Sequence, residues 1–96
     1  MQLLTKTLER RFAEVGSQKN NPDPIVIVRF FDQMGTNAWY MTEYDPKNRW
    51  FFGVVDLHKK EFFDFSLKKL QYANKWLGYR IVRDLNFTER PLSEVQ

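Results

Sequence analysis

The chain contains no cysteine. A disulfide framework, a thiolate nucleophile and cysteine-ligated metal sites are thereby excluded, and a reducing cytoplasm is the expected location. Histidine is nearly absent as well: His58 stands alone beside Lys59 and Lys60, so no histidine cluster can hold a metal. The four glycines are isolated, and none builds a phosphate-cradling loop. No serine sits in a G-x-S-x-G elbow. No apolar run approaches the roughly 20 residues that cross a bilayer, and "MQLLTKTLERRF" is charged by Lys6, so neither a membrane span nor a secretory leader is expected. Charge of one sign is scarce too. Fifteen Lys and Arg against twelve Asp and Glu give +3, which permits contact with nucleic acid without demanding it and argues against imitation of the DNA backbone.

What the chain does have is aromatic bulk. Its 96 residues are 43% hydrophobic and 17% aromatic, enough to build one globular core without cross-links, so residues 1–96 are expected to form a single domain.

The periodicities place the elements. Thr5 is positioned to cap a helix whose Leu4, Leu8, Phe12 and Val15 share a face, with Gly16 as its stop. "SQKNNPDP" reads as a loop. "IVIVRFF" predicts a central strand from Ile25 to Phe31; "AWYMTEYD", "RWFFGVV" and "EFFDF" follow as strands in an antiparallel meander. Ser66 caps a second helix burying Leu67, Leu70, Ala73 and Leu77 before Gly78, and "YRIVRDL" is a last strand. "NFTERPLSEVQ" reads as an extended tail with a helical turn after Pro91.

The fold class is therefore α+β, of order α-β-β-β-β-α-β: a mainly antiparallel sheet of about five strands with two helices on one face. Both faces of the sheet carry apolar rows. The second face then needs a cover: the tail, a loop, or another chain, with twofold pairing of two copies given equal weight to a monomer. In "EFFDF", Phe63 and Phe65 are expected beneath the helices, and Phe62 and Asp64 toward the tail or a partner.

Trp39, Tyr40, Trp50, Phe51, Phe52, Phe62 and Phe63, bordered by Arg29, Arg49, Lys59 and Lys60, have the composition of a stacking platform for unpaired bases. The plainer reading makes these rings core or protein interface. Glu43, Asp45, Asp56, Glu61, Asp64 and Asp84 could supply paired carboxylates for acid–base work, but no spacing brings two together, and arginines are at hand to pair with them. No catalytic residue, metal ligand or cofactor motif is assigned. Lys68, Lys69 and Lys75 lie on the outer side of the second helix, as a solvated face or a contact for an acidic partner.

Four stretches in order, "LLTK", "PDPIVIVRFF", "WYMTEYD" and "FFGVV…FSLKKL" leading to "RDLNFTERPLSE", resemble the bacterial family catalogued as domain of unknown function 2958. The likeness spans nearly the whole chain and weakens around "DLHKKEFFD". It implies an accessory gene of plasmids, integrative elements or phage-like DNA, and it brings no activity, cofactor or catalytic set. Trp39, Tyr40, Glu43, Asp45, Gly53, Arg83 and Asp84 are the positions that match the family pattern. Combined with the residues above, the candidate binding set is Arg29, Trp39, Tyr40, Glu43, Arg49, Trp50, Phe62 and Arg83. The expected function is that of a small non-enzymatic protein of a mobile element that binds another protein, with inhibition of a host defence system as its role. RNA or single-stranded DNA binding through the aromatic sheet is the alternative, and a carboxylate enzyme using Glu43 or Asp84 a third.

Overall fold

The computed structural model describes residues 1–95. Thr5 Oγ1 accepts the Leu8 N–H at 3.2 Å and starts α1, Lys6–Val15. Gly16 ends it at φ 67°, a left-handed backbone that favours glycine, with its N–H bonded to the Phe12 carbonyl at 2.8 Å. The predicted strand from Ile25 is two strands, β1 (Ile25–Val26) and β2 (Val28–Asp32). The chain kinks between them, because the Ile27 N–H turns to the Met41 carbonyl. Ile27 and Val28, neighbours that a flat strand would send to opposite faces, thus enter one core, while Val26 enters the other.

Strands β3 (Ala38–Asp45), β4 (Trp50–Val54) and β5 (Phe62–Ser66) continue the meander. Ser66 Oγ then accepts the Lys69 N–H at 3.2 Å and caps α2, Leu67–Trp76. Strand β6 (Ile81–Arg83) pairs with β2, giving an antiparallel sheet of order β5-β4-β3-β2-β6 that α2 traverses from one edge to the other. Asn74 of α2 secures this arrangement by bonding both backbone groups of Ile81, at 2.9 and 2.6 Å. Asp32 helps from the β2 end, its carboxylate accepting the Met34 and Arg80 N–H groups. The expected α+β architecture is the observed one.

The two faces are covered differently. Under the helices lie Phe12, Phe30, Trp39, Met41, Phe51, Leu67, Leu70 and Ile81, with the Phe51 ring 4.9 Å from Tyr44 and 5.2 Å from Phe30. The opposite face, Val26, Ala38, Tyr40 and Val54, is closed by the chain's own tail through Leu92, with Phe87 and Val95 packed at its margin. Of the three covers considered, the tail is the one seen. It forms β7 (Arg90–Pro91), paired with β1, and a 3-10 turn at Leu92–Glu94, where a turn after Pro91 was expected. No helix among the described residues is long and apolar enough to cross a membrane.

Two ties hold the tail. Arg11 donates its Nε and Nη2 to the Glu89 carboxylate, and those bonds raise its pKa. Asp23 accepts the Ser93 hydroxyl at 2.6 Å and the Ser93 N–H at 2.9 Å, and the hydroxyl bond first of all holds its pKa below the ordinary 3.8. A lowered folded-state pKa stabilises above the unfolded value, and the gain disappears as pH falls through the folded one. Hydrogen-exchange protection of the Leu92 amide should therefore decline as the pH falls through the ordinary 3.8 and below it. In Ser93→Ala the decline should be shallower, and an unchanged pH profile would show that this tie does not hold the tail.

One irregularity sets the phase of the central strand. Pairing between β3 and β4 shifts at Thr42, a β-bulge. The extra residue lets Met41 and Tyr44, three apart, both face the helices. Thr42 Oγ1 donates to the Phe52 carbonyl at 3.1 Å, and buried Gln18 donates to the Thr42 carbonyl at 2.8 Å. Gly53 faces the bulge with no room for a Cβ.

Candidate interaction surfaces

The strand alternation that builds the sheet also divides the aromatic set. Trp39 is 7% exposed inside the helix-side core, whereas Tyr40 is buried under the tail. Phe51 is in the core; Phe52 and Phe62 stack on the tail side with centroids 5.3 Å apart and planes at 16°. Trp50, 46% exposed, stands at the start of β4. Phe65 packs against the helix-side core as expected, but Phe63, also expected beneath the helices, is 47% exposed on the outer strand β5, its ring meeting that of Phe65 with centroids 6.3 Å apart. A continuous aromatic platform on the sheet is therefore absent among the described residues.

Two of the charged candidates, Arg29 and Arg83, prove to be structural ties. Arg29 lies across the tail-side face, its guanidinium 5.2 Å from the Phe31 ring centroid and 5.7 Å from that of Tyr40, and it pairs with Asp84 at 3.1 Å. Next to this pair is a cleft of about 440 Å³ bounded by Phe87 and Arg90. Arg83, at the opposite edge from β5, gives its Nε to the Gln2 carbonyl at 2.7 Å and straps down the N-terminal segment. Arg49 sits in the β3–β4 turn at φ 59° and borders a groove of about 970 Å³ between the two helices, with Lys6, Gln71 and Lys75. Asp45 organises that turn, accepting the Lys47 N–H and the Asn48 side chain; the Asn48 bond keeps its pKa low.

Glu43, Asp45 and Asp64 border a notch of about 280 Å³ with Trp50, Phe52 and Lys19. Among the described residues no group of three His, Asp or Glu has the geometry to hold a metal ion. Asp84, the other proposed carboxylate, is engaged by Arg29 and by the Asn86 N–H.

The surface that sequence reading missed is the outer end of α2. Trp76 is 65% exposed, Tyr72 56% and Leu77 59%, with Tyr79 beside them. Leu77 was expected in the core, but the helix ends at Trp76, so Leu77 becomes the C-cap and turns out to solvent. Tyr72 and Trp76 are four residues apart and therefore stand on one stripe of the helix. That spacing is visible in the sequence, interleaved with the lysines of the same outer face. Lys75 Nζ lies 5.2 Å from the Trp76 ring centroid, a cation over an exposed π-face.

The sequence model of a family described as "Protein of unknown function (DUF2958)" matches residues 3–95. The chain belongs to this family. Comparison with curated proteins and with solved structures returns no match. For this DUF2958 member, five of the seven positions that carry the family resemblance have architectural work: Trp39 fills the core, Gly53 admits the bulge, Asp45 shapes a turn, Asp84 pairs with Arg29, and Arg83 holds the N-terminal segment. The exposed aromatic end of α2 has no such role in the fold.

Proposed function

We propose that this chain is a small non-enzymatic protein of a bacterial mobile element that works in the cytoplasm by binding another protein, and that inhibiting a host defence system of CRISPR or restriction type is its role. The exposed end of α2 carries the proposal. A tryptophan, a tyrosine and a leucine, each more than half exposed and adjacent on one helix end, are the residue chemistry of an interface anchor. Aromatic side chains of this size gain most by being desolvated in a partner's pocket. The mobile-element setting is drawn from the family resemblance. Base binding by the sheet has less support, since Tyr40 lies under the tail and Trp39 inside the core. A carboxylate enzyme has less too, since Asp84 is held by Arg29.

The test compares native protein with Trp76→Ala as bait in host lysate. A discrete host protein should be retained by the native chain and lost at least about tenfold with Trp76→Ala. The variant should keep its melting temperature within about 4 °C, as expected for a surface change. Recovery of nucleic acid alone, or equal recovery by both baits, would refute the proposal.

A further inference from the structure

We infer, resting on the function proposed above, that the outer face of α2 docks onto an acidic protein surface with an apolar pocket for Trp76. Charge is segregated along this chain. Residues 65–83 hold Lys68, Lys69, Lys75, Arg80 and Arg83 and no acid, so the rest of the chain has ten cations against twelve anions. The +3 of the whole molecule thus understates the positive character of α2.

Nothing within the helix discharges its lysines. Its first turn has no acidic residue. The ion pairs among the described residues join Arg11 to Glu14 and Glu89 and Arg29 to Asp84, none of them on α2. Lys68 and Lys69 occupy the first turn, where the helix dipole disfavours cations. An ordinary solvated face gains nothing from that placement, whereas an acidic partner would be drawn by both the lysines and the dipole.

Apolar chemistry selects protein over nucleic acid. Leu77 lies exposed beside Trp76, and an aliphatic side chain neither neutralises phosphate nor π-stacks on unpaired bases. The helix cations are lysines, point charges without the planar fork that clamps phosphate bidentately. One consequence concerns mechanism. A surface that binds nucleic acid is itself basic, so a basic α2 face would leave a nuclease's substrate groove alone and engage a different, acidic surface.

The probes are a short glutamate-rich peptide with a central Leu-Phe pair, its glutamine counterpart, and oligothymidylate, each titrated into the isotope-labelled full chain at low salt. The glutamate peptide should shift the amides of residues 68–79. Combined Lys68→Glu, Lys69→Glu and Lys75→Glu should weaken that binding at least about tenfold, as should Trp76→Ala. Raising the salt should weaken it as well. All these residues are on the surface, and an unchanged amide spectrum elsewhere confirms that the variants fold. Equal binding of the glutamine peptide, tighter binding of oligothymidylate at the same amides, or no shift with the glutamate peptide would each overturn the inference. A captured host protein that needs Trp76 but resists salt and lysine reversal would keep the proposed function and remove the acidic partner. Glutamate-peptide binding without any Trp76-dependent host protein would do the reverse.

Discussion

Gly53→Ala should lower the melting temperature by at least about 12 °C, the equivalent of about 3 kcal/mol in a domain of this size. A Cβ at position 53 would fall on the Tyr40 carbonyl oxygen and 2.8 Å from the Met41 Cα. Both obstacles are backbone, so no side-chain rotation relieves them. The central strand would have to withdraw or lose its bulge, and without the bulge either Met41 or Tyr44 would leave the helix-side core. Thermal unfolding followed by circular dichroism gives the answer. A variant melting within about 3 °C of the native chain would mean that the backbones do not approach this closely.

Gln18→Leu should be the second large loss, about 2–3 kcal/mol in urea unfolding at unchanged slope. The Gln18 amide is 7% exposed and makes three bonds: Nε2 donates to the Ile25 and Thr42 carbonyls, and Oε1 accepts the Ile25 N–H at 2.7 Å. Leucine fits by volume but offers no polar atom, so the Ile25 N–H at the entrance to β1 loses its acceptor and the bulge loses its brace. Glutamate should not rescue the loss, because a carboxylate oxygen would replace Nε2 opposite the Ile25 and Thr42 carbonyls in a buried site; a Gln18→Glu variant as stable as the native chain would show that the Nε2 bonds do not brace the bulge.

The helices are legible in the sequence because each signal is local. Thr5 and Ser66 cap where their hydroxyls are followed by apolar periodicity, and Gly16 stops α1 through its own backbone freedom. The meander is legible for the same reason, being built from neighbouring strands and short turns. What escapes is non-local. The kink at Ile27 depends on the Met41 carbonyl, the burial of Gln18 on Thr42 across the sheet, and the pairing of β6 with β2 on Asn74 of a helix that crosses all the strands. Composition marked "SQKNNPDP" as solvated loop, and a buried amide inside it has no local signature.

The candidate residues divide in the same way. Arg29, Arg83 and Asp45 have the charge of a site, yet each meets a partner that only the folded chain supplies or a turn that it builds. Tyr72, Trp76 and Leu77 look like core in composition and are outside it, since α2 buries Leu67 and Leu70 and ends before the stripe can turn inward.

The tail-side cover has a consequence for synthesis. Its parts come from stretches far apart in the chain, Pro24 and Val26 meeting Arg90 and Leu92, so this closure waits until residues 90–92 have been made. Until then Tyr40 and Val54 lie open on a nascent sheet whose helix side can already be packed. A tethered chain with residues 1–86 emerged and the following ones still inside the ribosomal exit tunnel would display that greasy flank to chaperones, and holdase binding should cease once Leu92 has emerged.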